Sequence, residues 1–544
     1  METTVSILGG IGLFLLGMAV MTDGLKALAG SALRTVLAKA AATSVSGTFW
    51  GAVVTLLVQS SSATTMTTIG LVSAGLLTFP QGLSLVFGAN IGTTGTGWLV
   101  ALLGVRVSLT AYALPIVFVG ALLKLIGKGR WAAGGAAVAG FALILVGLTT
   151  LQQGMGGLAE RLHPADLPAV LGESGVPSWS GALGVLTLVA TGIVMTTVMQ
   201  SSTAAITVTI SALFAGAIGL DQALALVIGQ NIGTSTSSAM AAIGASSTAK
   251  RLAVAYIAFK LVAALIALVT FPAVVRLMVR ATGSIDPVTL VAAYHTAYNV
   301  VGVAILLPLM APFTRLVERI VPEKGSAFTR YLDPAALAAA PTVAIEATRR
   351  TVSHVLEASS LSAADSIDVV VTRQALDALQ QAKAFLSKVT EPLVTEREQQ
   401  WLISTVHALD HALGFVETLR ESARIEIALD SPAEERAMKL CAESMRSTAE
   451  LADSLEHIPA PPSTVAAALE ATTVDSSEVV ERLEHCAKEL AGLRLEHRRA
   501  TLDSVASGRL TANDAIARVE AVRLLDQRVH HAWRAAAHLA AAIA

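Results

Sequence analysis

Two short polar strings hold the residues of this sequence best suited to chemistry. Gln59-Ser60-Ser61-Ser62-Ala63 recurs as Gln200-Ser201-Ser202-Thr203-Ala204, and Gly88-Ala89-Asn90-Ile91-Gly92-Thr93 recurs as Gly229-Gln230-Asn231-Ile232-Gly233-Thr234. Both recurrences share one offset, because 200 minus 59 and 231 minus 90 each give 141. Within each copy the Gln and the Asn are 31 residues apart (90 minus 59, 231 minus 200), so the copies keep their spacing without insertion. A fixed offset of this kind marks an internal duplication and takes precedence over any local reading. The chemistry on offer is that of amides, hydroxyls and glycines: oxygen ligands for a hard cation and hydrogen-bond donors for an oxyanion. No nucleophile-base-orienter set and no nucleotide-binding loop accompanies them, so no enzyme is expected.

The elements that must position these residues are apolar. Residues 51 to 105 contain no Asp, Glu, Lys or Arg, and residues 181 to 249 contain one, Asp221. Runs at 5–22, 108–123, 131–151, 252–275 and 288–313 approach or reach the about 20 residues that a helical bilayer span needs. The run from Val5 lacks a basic flank and a small-residue cleavage site, so it reads as a retained first helix. Each Gln-Ser-Ser interrupts an apolar run, and polar groups at that depth must be satisfied by protein, ion or substrate. A discontinuous helix does this, its exposed N–H groups attracting anions and its exposed carbonyls coordinating cations. A simpler reading of any single serine is a bond back to the i−4 carbonyl. Asn-Ile-Gly-Thr, with Gly92, Gly97 and Gly233, has the composition of a tight turn or re-entrant tip. Arg106 reads as an interfacial loop residue, Asp221 as a helix N-cap, and His295 as a hydrogen-bonded structural histidine.

The net charge of −2 averages a nearly neutral half with a charge-rich one and gives no basic surface for nucleic acid. Basic residues at 34–39, 124–130, 276–280 and 315–330 favour the cytoplasmic side of a membrane, which places the charged C-terminal half in the cytoplasm. That half begins after a punctuated stretch, residues 323–341. Leu376, Leu379, Ala382, Leu386 and Val389 follow helical spacing, as do Leu402, Val406, Leu409, Leu413 and Val416, and Leu525, Val529, Ala532, Ala536 and Leu539. Pro459, Pro461 and Pro462 divide this half into two parts. Cys441 and Cys486 lie in no CxxC pattern and read as free thiols. The fold class is therefore all-α: a polytopic membrane domain over 1–322 with repeats at about 5–125 and 145–270, a linker over 323–341, and a soluble helical bundle over 342–544.

At these motifs the sequence resembles the type II sodium/phosphate cotransporter family, whose hallmark is a pair of QSSS motifs in an inverted repeat. The likeness extends over 1–322 and includes Gly12-Leu13-Phe14-Leu15-Leu16-Gly17-Met18, Lys250-Arg251-Leu252-Ala253 and Tyr294-His295-Thr296-Ala297-Tyr298-Asn299. It implies carriage of inorganic phosphate across the cytoplasmic membrane with Na+ as coupling ion, no other cofactor, the lipid bilayer and room for a homo-oligomer. It further implies that Gln59, Ser60, Ser61, Gln200, Ser201 and Ser202 serve phosphate, while Ser62, Thr203, Asn90, Thr93, Asn231 and Thr234 serve sodium, in a neutral hydroxyl-lined cavity where sodium supplies the positive charge. Thr203 departs from the motif but keeps the hydroxyl. A phosphate efflux carrier or channel, and a membrane-anchored phosphate sensor, are the alternatives. The C-terminal half resembles PhoU-like bundles, which carry carboxylate metal motifs; the corresponding positions here are His407-xxx-His411 and Asp526-xxx-His530. That spacing suits a metal, although a solvated flank is the simpler reading.

Overall fold

The computed structural model describes the chain apart from residues 1, 41–42, 105–109, 162, 169–177, 244, 324–325, 394, 424–430, 458–475 and 543–544. Arg106 and the prolines at 459, 461 and 462 therefore lie outside the described residues, as do the side chains of 34–39. The described residues are helical without strands, in two compact units: Met1–Val72 with Leu77–Glu323, and Ser73–Leu76 with Lys324–Ala544.

The first unit contains α1 (Glu2–Ala40), α2 (Ser44–Val58), α3 (Ser61–Ser73), α4 (Phe79–Leu99), α5 (Thr110–Ile126), α6 (Arg130–Ala159), α7 (Ser178–Met199), α8 (Ser202–Phe214), α9 (Leu220–Gly233), α10 (Ser235–Ala241), α11 (Ser247–Ala281), α12 (Pro287–Leu306) and α13 (Met310–Ile320). Six of its helices are long and apolar enough to cross a membrane. The sequence offset reappears as structure, since adding 141 to both bounds of α3 gives those of α8. Positive-φ glycines close the turns after both helices, at Gly75 and Gly216, again 141 apart.

The duplication also fixes how helices approach. Gly51, Gly88 and Gly92 bring α2 and α4 together, and Gly192, Gly229 and Gly233 do the same for α7 and α9. A Cβ at Gly88 would lie 2.0 Å from the Thr48 carbonyl oxygen, and one at Gly229 would lie 1.9 Å from that of Val189. Spaced small residues of this kind let membrane helices pack backbone to backbone. Asp221 is not the N-cap of α9; Gly219 is, its N–H donating to Gln222 Oε1 at 2.8 Å, with Asp221 inside the first turn.

In the second unit the principal helices are α14 (Pro334–Ala339), α15 (Pro341–Asp365), α16 (Val369–Leu386), α17 (Glu396–Ser422), α18 (Pro432–His457), α19 (Ser476–Ala506) and α20 (Ala512–Ala541). The stripe from Leu525 to Leu539 is buried as its spacing predicts, but Val406 is 45 % exposed. On α17 the core stripe runs instead through Thr405, Ala408, Leu409, Ala412 and Phe415. Leu409 and Val416 of the expected stripe are buried, so the face is shifted toward Thr405, Ala408, Ala412 and Phe415. Both cysteines are free.

Buried ion-pair clusters hold this unit. Glu346 accepts from Arg349 at 2.7 and 2.8 Å and from Arg350 at 2.7 Å. Glu456 pairs with Arg330 and accepts from the Tyr331 hydroxyl at 2.7 Å and from His354 at 3.0 Å. Glu434 binds Arg518 through two bonds of 2.6 and 2.9 Å and His497 at 2.9 Å. Burial alone would raise the Glu434 and Glu456 carboxyls, but these donors bring each from 4.5 down to about 2. Carboxyls depressed in the folded state stabilise it above pH 4.5, and that stabilisation is lost as pH falls toward 2. Thermal unfolding of the second unit is therefore expected to drop by roughly 4–8 °C between those pH values for a conservative loss of about 2 kcal/mol. Glu456→Gln should flatten the profile; an unchanged acid limb in that variant and in Glu434→Gln would remove these carboxyls as its cause.

Candidate functional site

At both Gln-Ser-Ser strings the helix stops and restarts. Gln59 closes α2 with φ 56° and Gln200 closes α7 with φ 50°, the two non-glycine residues of positive φ among the described residues. A left-handed residue with a side chain costs about 1–2 kcal/mol, so the turn needs support. Each Gln supplies it from its own amide. Gln59 Nε2 donates to the Leu56 carbonyl and Gln200 Nε2 to the Thr197 carbonyl, the latter at 2.6 Å. Their Oε1 atoms accept from Thr96 at 2.7 Å and from Ser237 at 3.0 Å. Thr96 and Ser237 are themselves 141 apart, so the offset could have revealed them; sequence reading stopped at Asn-Ile-Gly-Thr.

Ser60 and Ser201 then cap the following half-helices, each Oγ accepting a backbone N–H, of Ala63 and Ala204 respectively, at 3.2 Å. One orphan donor of each first turn is thereby satisfied. The amides of Ser61 and Ser62, and of Ser202 and Thr203, have no carbonyl partner within their own helix. They sit at the positive end of a helix dipole, an arrangement that favours an anion. Ser202 is buried, Ser60, Ser61, Ser201, Thr203 and Gln59 are half-buried, and Ser62 and Gln200 are exposed.

Asn-Ile-Gly-Thr is not a turn. Residues 90–93 lie inside α4, while 231–233 end α9 just before α10 begins. Neither Gly92, Gly97 nor Gly233 has positive φ; Gly92 and Gly233 are there for close helix approach. Composition alone does not separate these two uses of glycine. Asn90 and Asn231 both point into the protein, 2 % and 4 % exposed. Asn90 Nδ2 donates to the Val86 carbonyl at 3.1 Å, and its Oδ1 is buried with no hydrogen-bond partner. Asn231 Nδ2 donates to Asn299 Oδ1 at 3.3 Å, and its Oδ1 accepts from the Lys260 ammonium at 2.7 Å. Thr93 and Thr234 give their protons to the Ala89 and Asn231 carbonyls at 2.8 and 2.6 Å, leaving each oxygen able to accept.

Lys260 corrects the neutral cavity expected from the sequence. It is 3 % exposed, on α11, with its ammonium 5.0 Å from the centre of the Tyr256 ring. No Asp or Glu occurs in α11, α12 or α4. A lone cation in the apolar run 252–275 was the available signal, since an ionisable residue at membrane depth is functional by default. The Tyr256 hydroxyl is within reach of Ser61 from one repeat and Thr234 from the other. α12 spans both copies: Thr296 bonds Thr94 at 3.0 Å and Trp98 at 2.9 Å, while Asn299 meets Asn231. His295 is buried on the same helix, with Nδ1 unpartnered rather than hydrogen-bonded.

In the second unit His407 and His411 face His530, His531 and His538. Asp526 instead pairs with Arg494 at 3.3 Å. A further group, His354, Glu357 and Glu456, brings ligand atoms within 4.8 Å of one another, but Glu456 already holds Arg330 and Tyr331.

A duplicated helix break, buried amides and one intramembrane ammonium within an apolar helical unit define a polytopic membrane transporter. Residues 13–153 and 184–286 of the membrane unit match the profile of the Na+/Pi-cotransporter family. This is a family of transporters, not of enzymes. The chain is 29 % identical over 316 residues to "Uncharacterized protein YqeW" of Bacillus subtilis, covering 57 % of this chain and 96 % of that one. It is 29 % identical over 362 residues to "Putative inorganic phosphate export protein YjbB" of Escherichia coli K12, covering 65 % of this chain and 63 %, under two thirds, of that relative. Over 59 residues, 11 % of this chain and 9 % of the other, it is 44 % identical to "Sodium-dependent phosphate transport protein 2A" of Ovis aries. No solved structure matches it.

Proposed function

We propose that the chain carries inorganic phosphate across the cytoplasmic membrane, coupled to sodium, by alternating movement of two inverted repeats about a shared site. The observation that carries this reading is the pair of half-helix N-termini at Ser60–Ser62 and Ser201–Thr203, with Lys260 buried beside Asn231. Phosphate takes the free N–H groups and hydroxyls of Ser61 and Ser202, with Ser60 and Ser201 as caps and Gln59 and Gln200 as braces. Lys260 places one buried basic group on the second repeat. On the first, the unpartnered Oδ1 of Asn90 and the Thr93 hydroxyl oxygen, whose proton goes to Ala89, suit a sodium ion, so the two copies are served by different groups. Ser62, Thr203 and Thr234 complete the oxygen set. The second unit is a cytoplasmic regulatory bundle in this reading.

The test is labelled phosphate uptake into proteoliposomes with and without an inward sodium gradient. Wild type should respond to sodium, and Ser61→Ala with Ser202→Ala should lower uptake at least tenfold. Uptake indifferent to both sodium and the substitutions would sink the proposal. The name of the Escherichia coli relative favours a second reading, export: there, phosphate leaves loaded vesicles and inward uptake stays at background.

A further inference from the structure

We propose that a cavity in the second unit binds a small organic monocarboxylate, the guanidinium of Arg528 taking the carboxylate and an apolar wall taking the rest of the molecule. The proposal does not rest on the transport reading. The cavity holds about 300 Å³, at the lower end of the ~300–1,000 Å³ typical of small-molecule sites. It forms where the last turns of α15 and α17 meet α18 and α20. Arg528 of α20 lines it and is 3 % exposed. Its Nη1 donates to Cys441 Sγ at 3.9 Å, while Nε and Nη2 have no hydrogen-bond partner among the described residues. These two nitrogens form one edge of the guanidinium, the parallel donor pair that grips a carboxylate or phosphate bidentately. Arg349 and Arg518 of the same unit each place that edge on a glutamate. Arg528 has the edge without the carboxylate.

A guanidinium removed from water without a counter-ion is costly, and this cavity leaves room for one. Which anion it suits follows from the rest of the wall. Ala363, Ala364, Ile367, Met438 and Ala442 line it, giving an apolar body a surface to bury against. Ser422 adds no donor, because its hydroxyl proton goes to the Thr418 carbonyl at 2.8 Å. α15 and α17 end at the cavity, and the negative ends of their dipoles offset part of the Arg528 charge. Asp365 stands at the rim, 84 % exposed and 3.4 Å from Arg446, and repels a second negative charge. One cation behind an acidic rim therefore suits a single negative charge on an apolar frame better than a phosphate dianion.

The experiment is calorimetric titration of the full chain, in neutral detergent and phosphate-free buffer, with benzoate, butanoate and hexanoate, each beside its amide. At least one of the acids is expected to bind, one per chain, with its amide at least tenfold weaker. Arg528→Met should weaken the acid at least tenfold. So should Ala442→Leu, which keeps the guanidinium but fills the cavity. Asp365→Asn, which removes the charge at the rim, should tighten binding severalfold. Unfolding midpoints without ligand check the fold: Arg528→Met removes an uncompensated cation and should match or exceed the wild type. If no acid binds, or if acid and amide bind alike, Arg528 is satisfied by water only and the proposal falls. It falls equally if affinity survives both Arg528→Met and Ala442→Leu, or if inorganic phosphate displaces the acid at equal concentration.

Discussion

Lys260→Met is expected to leave the protein more stable in the absence of phosphate and to lower its phosphate affinity at least tenfold. The two directions follow from one fact. The ammonium is buried among helices of which α4, α11 and α12 carry no carboxylate and α9 carries one, Asp221, ten residues before Asn231, and its partners are the Asn231 amide oxygen and the Tyr256 ring. Removing an ion from water costs several kcal/mol even after relaxation, and one neutral acceptor does not return that. Methionine fills the same volume without the charge. The loss on the other side is the Asn231 Oδ1 left without its donor, about 1–3 kcal/mol, so the net gain in stability is a few kcal/mol at most. With phosphate the balance reverses, because the anion loses a fixed countercharge in a low-dielectric site. Thermal unfolding in detergent with phosphate absent, set beside phosphate binding and sodium-driven uptake, measures both. A Lys260 that served only packing would lower stability and transport together. Lys260→Arg keeps the charge but not the compact head that fits Asn231, and should fall between the two.

Gly88→Val and Gly229→Val should each abolish a monodisperse, folded membrane unit in detergent. A Cβ at either position would fall 2.0 Å or less from a carbonyl oxygen of the facing helix. That oxygen is backbone, so no rotamer change relieves the overlap, and α2 must leave α4, or α7 leave α9. Over-packing ordinarily costs about 1–3 kcal/mol when side chains can shift; a backbone clash exceeds that range. The same separation would pull Gln59 from Thr96, and Gln200 from Ser237, undoing the support of the left-handed turns. Size-exclusion profile and unfolding midpoint are the measurements. Because the duplication keeps these contacts in register, the two variants should behave alike, and Gly134→Val, at a position with open space, should not. A folded Gly229→Val protein with an unchanged midpoint would show that α7 and α9 do not pack this way.

Much of the site was legible in the chain itself. A duplication is a linear property, so an offset of 141 identified the broken helices at Gln59 and Gln200, and the absence of charge around them identified the medium. The same offset carried further would have found Thr96 and Ser237. Glycine was the point of failure: Gly92 and Gly233 read as turn residues, because composition does not distinguish a positive φ from a surface that another backbone must touch. Periodicity likewise named a core face for α17, but Val406 lies outside it while Thr405 and Ala408 lie in it, a small rotation of the face that spacing alone does not fix.

By itself, then, the sequence determined an all-α chain with an apolar duplicated half, a break in one helix of each copy, and the residue types placed at those breaks. Tertiary structure decided which partner each polar group has. Asn90 and Asn231 are identical in local sequence pattern, yet one oxygen is unpartnered and the other holds Lys260, 29 residues away on a helix that lies beyond the motif. His411 and His531 meet across 120 residues. Local spacing follows from the backbone repeat of a helix, whereas charge compensation at depth depends on which helices pack together, and that is settled only when the whole unit folds.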